Sequence, residues 1–189
     1  VFDLGHILAL TAAVIHHYGW VSKSAAFQDD RLQAPAGRVG YLLRRPHPSA
    51  GAAAIRECEA EVAKCLPTAD NKQDATSAIE WARAFSDEQI ETNNYLANCN
   101  AIARCGVVEG KTMGIACSVV SSFQREQARL KLAEREAARV SNYVGEVGKR
   151  AEFVVTVTKV IPIDGQFGTT GLHKMLDDQG NDLGWFASG

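Results

Sequence analysis

The sequence lacks a long apolar run, a cluster of metal ligands and a strong charge of either sign, and each absence removes a class of function. Its longest apolar stretch, Ile7–Ile15, is nine residues and is interrupted by Thr11, whereas a bilayer-spanning helix needs roughly 20. The same stretch has the length of a signal-peptide core, with Ser24-Ala25-Ala26 as a cleavage-like site. Asp3 precedes it and no Lys or Arg does, so the reading is a buried helix, no membrane association and a cytoplasmic location. A net charge of −2 gives no whole-protein attraction to phosphate.

Cysteine is neither dense nor patterned. The five cysteines make an odd count and form no C-x-x-C. Cys58 and Cys65 stand seven apart on a predicted helix, so roughly 10 Å separates their Cα atoms at 1.5 Å per residue, beyond the reach of a disulfide. Reduced, mostly buried thiols are expected.

His6, His16, His17, His47 and His173 include no H-E-x-x-H pair, and the adjacent His16 and His17 point to different sides of a helix, so no metal site is expected. There is no G-x-S-x-G elbow and no recognisable triad. No catalytic residue and no cofactor are assigned, and an enzyme is unsupported.

The nearest approach to a nucleotide motif is Gly106-Val107-Val108-Glu109-Gly110-Lys111-Thr112. A phosphate-binding loop requires four residues between its glycines, so that successive backbone N–H groups wrap the phosphate, and it must follow a buried strand. Here there are three, one of them Glu109, after a segment that reads as helix. A helix–helix turn accounts for the same residues.

What is present is an ordinary globular composition, 46% hydrophobic and 22% charged, enough to bury a core. Charge is uneven along it. Residues 1–50 carry Lys23, Arg31, Arg38, Arg44 and Arg45 against Asp3, Asp29 and Asp30. Residues 51–111 are acidic, with ten carboxylates to six bases, and 125–139 are basic, five to three. An anion-binding surface should therefore draw on the first or third region.

Residues 4–18 read as a helix ending near Gly19. Residues 19–50 have weak periodicity, and Pro35, Gly37, Gly40, Pro46 and Pro48 break it. Ile55, Cys58, Val62, Cys65 and Leu66 then follow helical spacing up to Pro67, and Ala75, Ala78, Ile79, Ala82 and Phe85 form a second stripe. Ser86 with Gln89 is a capping box for a third helix, which places Tyr95, Leu96, Cys99, Ile102 and Ala103 on one face and ends at Gly106. Thr112 is the candidate cap of a fourth helix, apolar through Phe123 and then charged over 125–139, a pattern of solvated helix.

After Ser141 the character changes. Phe153–Ile161 is the richest β-branched run in the chain. Turns at Gly165–Gly168 and Asp177–Asn181 separate it from strands near Thr169–Leu176 and Leu183–Ala187, which predicts an antiparallel meander.

Residues 141–150 (SNYVGEVGKR), 153–160 (FVVTVTKV), 165–175 (GQFGTTGLHKM) and 178–188 (DQGNDLGWFAS) together resemble a C-terminal module of phage and plasmid proteins. Asn94-Tyr-Leu-Ala-Asn and Gly114-Ile-Ala-Cys-Ser resemble the helical lead-in. The likeness spans roughly Ala53 to Gly189. The module itself resembles the first strands of an oligonucleotide/oligosaccharide-binding barrel, which implies a nucleic-acid-associated role. A five-stranded barrel needs two more strands, so three leave edges for a partner, a second copy or the N-terminal region to satisfy.

The expectation is an α+β chain: a helical bundle over 1–140, then a β-rich, partial barrel-like module over 141–189. The leading functional expectation is non-catalytic binding of single-stranded or structured nucleic acid. Phe167, His173, Trp185 and Phe186 would stack on bases while Lys159 and Lys174 meet phosphate. The opposing reading makes the same rings the filling of the module's own core. Since residues 149–189 hold five acids and four bases, any basic groove must come from local arrangement. The rival function is a protein-assembly or homo-oligomer module using open strand edges and helix 125–139.

Overall fold

The computed structural model describes every residue except Arg45, His47, Pro48, Ala50, Arg139, Gln166, Phe167 and Gly189. It is an α+β protein with two compact units, Val1–Ala128 and Arg129–Gly189. The division falls inside a helix, ahead of the compositional change at residue 141.

The first unit is built around helix α1 (Leu4–Tyr18). Asp3 caps it by accepting from the His6 amide at 2.8 Å. A helix apolar on nearly every side belongs in an interior, and Ile7, Leu8, Thr11 and Val14 are fully enclosed. Thr11 keeps its hydroxyl by donating to the Ile7 carbonyl at 2.7 Å and lying 3.2 Å from the Cys117 sulfur. The helix entry is clamped by a two-residue bridge, β1 (Phe2–Asp3) pairing antiparallel with β2 (Val107–Val108), and by Leu4 N–H donating to Gly106 O.

The helices that follow are α2 (Lys23–Gln28), α3 (Pro35–Leu43), α4 (Ala52–Lys64), α5 (Ala69–Arg83), α6 (Asp87–Thr92), α7 (Asn94–Cys105) and α8 (Met113–Ala137). Helix α5 packs closely on α1 through the small side chains Ala75, Ala78 and Ala82. The buried amide of Asn100 on α7 donates to Ala82 O at 2.8 Å, while Arg83 Nε donates to Ala103 O at 2.8 Å. Each helix thus satisfies carbonyls left open at the other's C-terminal end. Tyr95 OH joins Ser118 and Ser122 of α8 at 2.9 and 2.8 Å.

A polar cluster lies at the C-terminal end of α1. Tyr18 OH donates to Glu61 at 2.6 Å, and the Arg38 guanidinium sits 3.8 Å from the Tyr18 ring centroid. The Tyr18 hydroxyl chiefly, with help from Lys64 and Arg38, holds the Glu61 carboxyl below its ordinary range.

Three local expectations change. The described residues of 19–50 hold two helices: Ser22 caps α2, and Pro35 starts α3 instead of breaking it, because proline's missing N–H is harmless in a first turn. The single helix expected from Ser86 to Gly106 is two. Asn93, with extended backbone, turns its side chain onto the Tyr95 and Leu96 amides and so caps a new helix. Thr112 precedes α8, but its hydroxyl bonds back to the Glu109 backbone. The Gly106–Thr112 segment, expected to be only a turn between helices, first forms β2 at Val107–Val108 and turns at 110–112, with Gly106 closing α7 at φ 74°.

The second unit is a meander of β3 (Val155–Gly165), β4 (Gly168–Asp177) and β5 (Asp182–Ser188), in that spatial order and antiparallel throughout. No barrel closes among the described residues, and β3 and β5 are both edges. The β4–β5 turn is knit by Asp177, whose carboxylate accepts from Gln179 N–H, Asn181 N–H and Asn181 Nδ2 at 2.8–2.9 Å. The Asn181 side chain leads in holding Asp177 below the usual carboxylate range. Ser141 and Asn142 bond to the same turn, through Asp182 N–H and Asn181 Oδ1.

All five cysteines are free, and Cys105 alone of them is exposed. Burial pushes the Cys117 thiol up to about 11, so at pH 8 far less of it is thiolate than of an ordinary cysteine. Mass spectrometry after iodoacetamide treatment of the native protein should therefore find one fast adduct, at Cys105. Early labelling of Cys117 would contradict the enclosed α1–α8 contact.

Candidate nucleic-acid interface

Strand register decides which of the predicted binding residues can act together. Lys159 pairs with Lys174, Val160 with His173, His173 with Trp185, and Leu172 with Phe186. Side chains alternate faces along a strand while directly opposed residues share one. His173 and Trp185 therefore lie on one face, and Lys159, Lys174 and Phe186 on the other. Independent contacts agree: the His173 and Trp185 ring centroids are 5.3 Å apart. A Cβ added at Gly171 would meet His173 Nε2 at 3.1 Å, so glycine there lets the imidazole lie across the strand.

The six residues expected to form one platform are thus not brought together. Five divide between two faces, and Phe167 lies outside the described residues. The physical reason is the period of two: His173-Lys174 and Trp185-Phe186 are sequence neighbours, and neighbours in a strand cannot share a face.

On the question of ring burial, Trp185 is 57% and Phe186 64% exposed. They are not sealed inside the module. The His173–Trp185 face also shows Val157 and Val160 to solvent.

The opposite face has a different electrostatic character. Lys159 and Lys174 are exposed and directly opposed across β3 and β4. Neither forms an ion pair with a described carboxylate. Like charges set opposite one another destabilise a sheet, and an anion lying over both would relieve that repulsion. Phe186 stands on the same face on β5, two residues from Gly184, which pairs with Lys174.

No helix among the described residues is long and apolar enough to cross a membrane. Comparison with protein-family models, with curated proteins and with solved structures finds no match to this chain. The reading of function rests on its own residues.

Proposed function

We propose that the β-rich unit binds single-stranded nucleic acid without catalysis, through the face carrying Lys159, Lys174 and Phe186. The observation that supports this most is the cross-strand pair of lysines with an exposed ring on the same face; Asp182 also stands on that face, on the other side of Gly184 from Phe186. Backbone phosphates would bridge the two ammonium groups while a base stacks on Phe186. The likeness to the first strands of an oligonucleotide-binding barrel, as carried by phage and plasmid proteins, points the same way. On this reading the protein is an accessory factor.

A second reading has its own support. Both outer strands have unpaired edges, and the His173–Trp185 face exposes Val157, Val160 and Trp185. Such a surface suits assembly with another chain.

Fluorescence anisotropy of a labelled oligothymidylate, titrated at 50 and 200 mM salt, separates the two. Two phosphate contacts predict a fall in affinity of about sevenfold over that range, from a slope of roughly 0.7 per contact. Binding indifferent to salt, or absent at micromolar protein, overturns the proposal. A stable oligomer by light scattering without nucleic acid would favour assembly.

A further inference from the structure

The first unit contains a cleft of about 940 Å³. It opens between the α1–α2 connection, helix α3, the Gly110-Lys111 turn and the first turns of α8. Its volume falls within the range of small-molecule sites. Trp20, Leu43, Met113 and Ile115 supply an apolar wall, and Lys23, Arg44 and Lys111 supply three cations. No Asp or Glu lines it, and none of the three cations is ion-paired among the described residues.

The glycines of the cleft carry the argument further. Gly40 sits inside α3, where glycine weakens a helix relative to alanine. Glycine in a helix is usually explained by a left-handed backbone or by close packing. Gly40 has neither: its φ is not positive, and a Cβ there would meet nothing within 4 Å. Gly110 and Gly114 also line the cleft and also face open space. The residue type gives up helix stability at Gly40 and gains only room in the cavity.

We propose that this cleft holds an amphiphilic anion, a carboxylate or phosphate monoester with an apolar tail. Its head group lies among Lys23, Arg44 and Lys111, and its tail lies against Trp20 and Leu43. A hydrocarbon body fits better than a nucleobase. Among the described residues, no carboxylate or carboxamide side chain lines it to accept hydrogen bonds from a base or a sugar.

Isothermal titration of the full chain with laurate, dodecyl phosphate and dodecyltrimethylammonium, each below its micelle concentration, tests this. One equivalent of at least one anion should bind, the tighter of the two naming the head group, and the cation should bind at least tenfold more weakly. Lys111→Glu, on an exposed turn, should weaken anion binding tenfold or more. Gly40→Ala should raise the melting temperature and weaken binding, and Gly40→Leu should abolish it. Equal binding of cation and anion, several equivalents per chain, no binding of either anion, or variants that bind like the parent would each overturn the proposal.

Discussion

Replacing Lys159 by glutamate should lower affinity for an oligothymidylate at least tenfold while raising the stability of the sheet. The two effects have one origin. In the native sheet Lys159 faces Lys174 directly, a like-charge arrangement that is unfavourable. Glutamate at that position converts it to an opposite-charge pair, worth about 0.2–1 kcal/mol across a strand pair. The same change removes one phosphate contact and places a negative charge beside the second. Loss of a phosphate contact together with new repulsion amounts to roughly 1.4–3 kcal/mol, or about tenfold and upward. The salt dependence should flatten in parallel.

Thermal melting and anisotropy on the same preparation check both halves. Unchanged affinity would remove Lys159 from any interface. A drop in stability would mean that the lysine serves the sheet itself. Trp185→Ala is the matched control, because it alters the opposite face and should leave the salt slope intact. Should Trp185→Ala abolish binding instead, the platform is the His173–Trp185 face.

The elements that were legible in the sequence are those whose signal is local and strong. Helix α1 announces itself by Asp3 before an apolar run broken only by Thr11, and by Gly19 after it, and its bounds follow. Strand β3 follows from its β-branched run, β4 and β5 from short apolar and aromatic stretches between turn residues, and Asp177–Asn181 closes as its composition suggests. The failures have equally local causes. Pro35 was ambiguous because proline both starts and stops helices, and what distinguishes the roles is whether a buried partner such as Val39 follows. Asn93 can continue a helix poorly or cap one well, and only its side-chain bond to the Tyr95 and Leu96 amides decides. The division of the binding residues between faces, in contrast, was written in the sequence once residues 173–174 and 185–186 were placed in strands. The cleft of the first unit was not. Its cations come from Lys23, Arg44 and Lys111, far apart in sequence, and only the basic bias of residues 1–50 hinted at two of them.

Truncating Leu8 to alanine should cost about 3 kcal/mol of stability, from the range of roughly 2–5 for a leucine lost from a closed core. Leu8 has no exposure at all, and it belongs to the same cluster as residues of α3, α5, α7 and α8. The neighbours matter as much as the burial. A cavity is least costly where large, flexible side chains relax into it, but α5 approaches α1 through Ala75, Ala78 and Ala82, which cannot extend to fill a gap. Helix α1 also cannot slide to close it, since β1–β2 pairing and the Leu4 to Gly106 bond fix its start. For a domain of this size the loss corresponds to a fall in melting temperature of about 10 °C, a large part of the total for a marginally stable fold. Urea unfolding followed by far-ultraviolet circular dichroism measures it directly. Phe27→Ala, at a side chain 90% exposed, should change stability by no more than about 0.5 kcal/mol. If the two variants lost similar amounts, α1 would not be the enclosed centre around which the helical unit is built.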